Sequence, residues 1–149
     1  TDLPADFEVF GQAVDTDFVD LLGGTTGQVL SKASAADLDF TWTAQDATLT
    51  FNAQTGTTYT LVVGDAGKLV TTSNAGAITV TVPPSVFAAG DVINLQSIGV
   101  GLTTFAAGAG VTITSTGAVA AAPIVRAQYS ACSIICTASD VFTILGDLA

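Results

Sequence analysis

Histidine and methionine are absent from this 149-residue chain, and tryptophan occurs once. Without histidine the Ser-His and Cys-His nucleophile systems are excluded, together with the side chain that most often acts as a general base near neutral pH. No catalytic residues are expected. Cysteine is scarce as well, with only Cys132 and Cys136. Two cysteines and no histidine leave no donor set for a zinc site, so neither metal nor cofactor is expected. The bases are Lys32, Lys68 and Arg126. They are too few and too scattered to build the basic face that phosphate backbones require, so nucleic acid is not an expected partner. Long apolar runs are also missing. The longest, Ala118 to Val125, is interrupted by Pro123 and falls far short of the roughly 20 residues of a spanning helix, so no membrane insertion is expected. The acidic first residues lack the basic flank and apolar core of a secretory leader.

What the chain does hold is apolar. Hydrophobic residues make up 49% and charged residues 11%, and the mean hydropathy is +0.61. A chain of this length forms one principal domain. With so little charge it cannot cover a monomer's surface with polar groups, which implies burial against other chains and predicts a homo-oligomer. The net charge of −10 is unevenly spread. Nine acids, Asp2, Asp6, Glu8, Asp15, Asp17, Asp20, Asp37, Asp39 and Asp46, precede Ala47 against one base. The chain therefore divides into an acidic arm and connector, residues 1–46, and a nearly neutral body, residues 47–149.

In the arm, Phe7, Phe10, Val14, Phe18, Leu21 and Leu22 recur at spacings of three and four. Gly11 breaks the pattern, so the spacing predicts a short helix from Thr16 to Leu22, capped by Asp15 and stopped by Gly23-Gly24. Phe7, Phe10, Phe18, Leu21 and Leu22 either fold back on the body or dock on a neighbouring protein. Asp15, Asp17 and Asp20, and the pair Asp37 and Asp39, lack the glycine and spaced acceptors of a calcium loop and read as a solvated or partner-facing surface.

The body is predicted to be all-β, a small antiparallel β-sandwich or barrel-like module. Strands are expected at 47–52, 58–63, 68–72, 77–82, 92–98, 103–106, 111–115, 128–136 and 140–145, with glycine-bearing turns between them. Alternation is clean where Ile78, Val80 and Val82 oppose Thr79 and Thr81, and no fixed-period repeat is visible. Pro83-Pro84 must end its strand and turn the chain toward Val86 and Phe87, whose side chains should be buried. Cys132 and Cys136 stand four apart on a predicted strand. At about 3.3 Å per residue their Cα atoms lie about 13 Å apart, too far to bridge, so both are expected in the core. Gly99-Val100-Gly101 lacks the helix and lysine of a phosphate loop and reads as a hairpin turn. Trp42, Tyr59 and Tyr129 are candidates for a sugar-stacking platform, against the alternative that each is a packing anchor.

Two groups of motifs carry a resemblance. Gly-Gly-Thr-Thr-Gly-Gln-Val-Leu (23–30), Lys-Ala-Ser (32–34) and the acids before Trp42 resemble a connector found in tail-fibre, minor tail and head-fibre proteins of tailed bacteriophages. Tyr59-Thr60-Leu61, Asp65-Ala66-Gly67-Lys68-Leu69-Val70, Thr81-Val82-Pro83-Pro84, Ala89-Gly90-Asp91-Val92-Ile93, the glycine-rich hairpin from Gly99 to Ala109, Ala127-Gln128-Tyr129-Ser130 and Leu145-Gly146-Asp147-Leu148 resemble segments of the β modules that end phage fibres and decoration proteins. The resemblance implies a homotrimeric virion structural protein on the capsid surface or tail. The expected function is non-catalytic capsid decoration or a head fibre, the arm docking on the major capsid protein and the body projecting outward. Alternatives are a short tail-fibre or receptor-binding protein that engages a tail protein and a host surface glycan, and a free carbohydrate-binding module.

Overall fold

The computed structural model describes residues 23–36, 39–45, 48–116 and 122–149. They form eleven strands and one 3-10 turn, so the fold is all-β. The helix expected at Thr16 to Leu22 lies outside the described residues. The chain divides into two compact units between Thr48 and Leu49, against the expected boundary at 46/47. In the first, β1 (Gln28–Lys32) and β2 (Phe40–Ala44) form an antiparallel hairpin in register from Gln28 opposite Ala44 to Lys32 opposite Phe40.

In the second unit the chain passes back and forth between two sheets. β3 (Phe51–Gln54), β5 (Leu69–Thr72) and β7 (Val92–Ser97) join the larger sheet, while β4 (Thr58–Thr60), β6 (Ile78–Val82) and β8 (Thr103–Ala107) form the smaller one. Each crossing makes one rung, and successive rungs stack in parallel: β3 on β5 on β7, and β4 on β6 on β8. The chain then runs along β9 (Thr112–Ser115) at the far edge of the larger sheet. It returns through Ile124 and Val125, which bridge to Thr104 and Leu148. β10 (Ala131–Ala138) and β11 (Val141–Gly146) fill the gap as a hairpin, antiparallel to β7 on one side and parallel to β9 on the other.

The expected antiparallel module is therefore corrected to a mixed and mostly parallel one. Alternation of apolar and polar residues is the same for both pairings, and the connections decide between them. Here they turn the corner into the opposite sheet. Asn74 ties the stacked turns together, its side-chain amide donating to the Thr55 carbonyl at 2.7 Å and its own carbonyl accepting from Gly101 N at 2.9 Å. The turns approach so closely that a Cβ on Gly101 would stand 1.8 Å from the Gly76 carbonyl oxygen, so only glycine fits.

The core lies between the sheets. Val70, Val80, Ile93, Phe105, Ile134 and Phe142 are fully buried, and each side chain contributes about 1.5–3 kcal/mol relative to exposure. β6 stops at Val82 as its prolines require. Phe87 is 7% exposed and meets Phe142 edge to face at 6.0 Å, while Val86 is half-buried against the same cluster. Three expected strands shift by more than a residue: β3 spans Phe51–Gln54 rather than 47–52, β10 spans Ala131–Ala138 rather than 128–136, and β4 stops at Thr60 rather than 63, ahead of the 3-10 turn Val63–Asp65.

Candidate functional site

Among the described residues, three groups of polar contacts involve residues that the sequence singled out; apart from them the fully buried Thr72 and Thr103 hydroxyls meet at 2.7 Å inside the core. The first closes the open end of the core, where the first rung turns inward not aliphatic but polar side chains. Asp65, in the 3-10 turn Val63–Asp65, is 1% exposed. Its carboxylate accepts from Asn52 Nδ2 at 2.6 Å, the Tyr59 hydroxyl at 2.8 Å and Val62 N at 2.9 Å. Asn52 Nδ2 also donates to the Tyr59 oxygen at 2.8 Å, and Gln54 Nε2 donates to Asn52 Oδ1 at 2.7 Å. Burial and the Asp65 carboxylate push the Tyr59 hydroxyl up to about 12. A buried carboxylate with three donors is a structural plug, with no oxygen turned toward solvent.

The second place ties the end of the described chain to the approach of β10. Arg126 pairs with Asp147, the Ser130 hydroxyl donates to Asp147 Oδ2 at 2.6 Å and Ala127 N donates to Ser130 Oγ at 3.1 Å. Arg126 apart, these residues belong to the two motifs Ala127-Gln128-Tyr129-Ser130 and Leu145-Gly146-Asp147-Leu148, which are distant in sequence and meet here. Gly90 and Asp91 play a similar part: Ala88 N donates to Asp91 Oδ2 at 2.9 Å and Gly90 N to the Cys136 carbonyl at 2.8 Å.

The third place is the connector hairpin. The Trp42 indole lies on Gly23 and Gly24, where a Cβ on Gly24 would come within 2.6 Å of the ring. Gln28 Oε1 accepts from Thr25 N at 2.8 Å and Lys32 Nζ stands 5.9 Å from the Phe40 ring centre. The glycines of this motif are thus a seat for its tryptophan.

Of the candidate glycan contacts, Trp42 is half-buried on its glycines in the hairpin unit, Tyr59 turns inward to Asp65, and Tyr129 is 65% exposed at a positive φ of 69°. The body brings Tyr59 and Tyr129 to different parts of its surface, one in the polar plug and one in the clasp. Phe7, Phe10, Phe18, Leu21 and Leu22 lie outside the described residues. Cys132 and Cys136 are free, buried and on the inward side of β10. Burial pushes the Cys132 thiol up to about 12, and burial with the nearby Asp91 and Asp140 carboxylates raises Cys136 as well. Both stay protonated at neutral pH, so neither supplies a thiolate. Among the described residues no three His, Cys, Asp or Glu side chains come together as a metal set. Asp65 was missed in the sequence because it reads there as a turn residue; its reach back to the amide of Val62, three residues earlier, is the local signal.

The outward faces differ in character. On the smaller sheet Thr58, Thr79 and Thr104 form one row, with Thr60 and Thr81 beside it. The larger sheet presents an uncharged face with a shallow depression of about 220 Å³ near its centre. Comparisons with family models, with curated proteins and with solved structures each return no match to this chain.

Proposed function

We propose that the chain is a non-catalytic structural protein of a tailed-bacteriophage particle, a homotrimeric capsid decoration or head-fibre protein. Its acidic arm docks on the major capsid protein and its β body projects from the shell. The observation that supports this reading best is what the motif residues do. The resemblance rests on short segments, and in the body these are the residues that clasp turns and strand ends, Asp147 with Arg126 and Ser130 above all. Such residues specify a rigid module rather than a reaction centre. Saturated Asp65 and protonated thiols favour the same reading, because none of them is prepared for chemistry. The arm, with Phe7, Phe10, Phe18, Leu21 and Leu22 among its acids, suits anchors that enter apolar pockets ringed by basic groups or main-chain donors.

Exposed Tyr129 favours a second reading, a short tail-fibre protein that contacts a host surface glycan. Copy number separates the two. Quantitative mass spectrometry of purified particles, with the protein located by electron microscopy, should find hundreds of copies spread over the shell. A few copies confined to the tail would sink the decoration reading in favour of the second.

A further inference from the structure

Alternation along the strands sends one set of side chains into the core and leaves the other on the outer face of the larger sheet. The register places Phe51, Leu69, Asn94, Ser133 and Leu145 in one row across β3, β5, β7, β10 and β11. Neither flanking row, from Ala53 to Ala131 or from Val92 to Thr114, contains a charged residue. At the row's polar centre the Ser133 hydroxyl donates to Asn94 Oδ1 at 2.8 Å, which leaves the Asn94 amide nitrogen to donate to whatever covers it.

The row holds both a knob and a hole. Phe51 is 67% exposed on the edge strand β3. Leu69, Asn94, Ser133 and Leu145 surround the depression of about 220 Å³, and a cavity of about 150 Å³ already accepts a benzene ring. At Gly146 the backbones of β10 and β11 come so close that a Cβ would meet Ala131 O at 2.5 Å, so glycine keeps that wall open. Phe51 points out of the same face as the opening, so a chain cannot fill its own depression. A ring from another copy can.

We propose that this face is where copies of the chain meet, with the Phe51 ring of one copy seated in the Leu69–Asn94–Ser133–Leu145 depression of the next. The inference rests on the homo-oligomeric reading above and names its interface. Charge favours a second copy over an unrelated acidic or basic partner. Two chains of net −10 repel wherever their carboxylates approach, and an uncharged face lets them come together without that cost. Its size suffices. Strands about 4.8 Å apart and rows about 7 Å apart give roughly 24 by 14 Å of sheet, or about 700 Å² for two copies. The phenyl rings, each bringing on the order of 150 Å², carry the pair to about 1,000 Å², where specific contacts begin.

The test is the solution mass of the full chain by multi-angle light scattering at micromolar concentration, for the native protein and for Phe51→Asp, Leu145→Glu and Thr79→Asp. Thr79 lies on the outer face of the other sheet and serves as the control for a surface acid. The expected native mass is a whole multiple of 14.9 kDa, twice it where two copies share the face reciprocally. Phe51→Asp and Leu145→Glu should fall to the single-chain mass with unchanged far-ultraviolet circular dichroism, and Thr79→Asp should keep the native mass. If both face variants kept the native mass, this interface would be wrong while the homo-oligomer stood. A native mass of 14.9 kDa would overturn the interface and the homo-oligomer together, and leave the face to the chain's own arm or to a different protein.

Discussion

Replacing Asp65 by alanine should be among the most damaging single changes to the body. The substitution removes a carboxylate and leaves Asn52 Nδ2, the Tyr59 hydroxyl and Val62 N without their acceptor in a site 1% exposed. A buried donor left unsatisfied costs about 1–3 kcal/mol, and hydrogen bonds to a charged group sit at the upper end of the usual range. Asn52 and Tyr59 keep their contact with each other, which offsets part of the loss. A total of about 3–5 kcal/mol follows, a third or more of the stability of an ordinary domain. Near 100 residues, about 5 °C of Tm goes with each kcal/mol, so Asp65→Ala should melt about 15–25 °C below the native chain. Tyr59→Phe removes one of the three donors and should cost about 1–2 kcal/mol. Combining the two should cost less than their sum, because the hydroxyl has no carboxylate left to meet. Urea unfolding followed by circular dichroism measures all three. A loss below about 1 kcal/mol for Asp65→Ala, or simple additivity with Tyr59→Phe, would refute the plug.

Alkaline pH should weaken the fold. The Cys132 thiol is raised from 9.0 to about 12 and the Tyr59 hydroxyl from 10.0 to about 12, so the folded chain holds protons that the unfolded chain releases. Stability is full below pH 9 and falls as pH rises toward 12, by about 4 kcal/mol for Cys132 alone. Urea midpoints that stayed flat between pH 8 and 10.5, or that fell as steeply in Cys132→Ala as in the native chain, would contradict this. Gly146→Ala should cost about 2–4 kcal/mol, because its Cβ meets backbone at 2.5 Å that must move, whereas a Cβ on Gly110 meets nothing within 4 Å and Gly110→Ala should lose only about 1 kcal/mol to its positive φ. A chain beginning at Ala44 should fold and assemble but no longer bind particles, and binding of the full chain should weaken with added salt; equal particle binding by the shortened chain would place the docking surface in the body's loops.

How much of this was readable in advance depended on range. β6 was legible because Ile78, Val80 and Val82 alternate with threonines and Pro83 lacks an amide donor, both local facts. The burial of Cys132 and Cys136 followed from strand spacing. Parallel stacking was not legible, because a strand's alternation does not reveal its partner's direction. The steps from Phe51 to Leu69 to Asn94 are also unequal, which hides the rungs from any search for a period. For Trp42, Tyr59 and Tyr129 the sequence leaves sugar stacking and packing side by side, and only the structure shows what lies against two of them: a carboxylate six residues on for Tyr59, and a glycine pair for Trp42. The interface row joins five strands spread from Phe51 to Leu145, so only the register assembles it.

The way β3 enters the larger sheet bears on how the body answers to tension. β3 is an edge strand held on one side, by β5, and it is the first strand reached from Leu49. A tug from that end, where it is directed along the strand axis, loads the whole ladder of evenly spaced bonds to β5 in shear. The bonds then share the strain and must yield together, as in a lap joint pulled lengthwise, whereas a pull at right angles would open them one at a time like a zip. A body held through its N-terminal side thus resists most where the pull lies along its first strand.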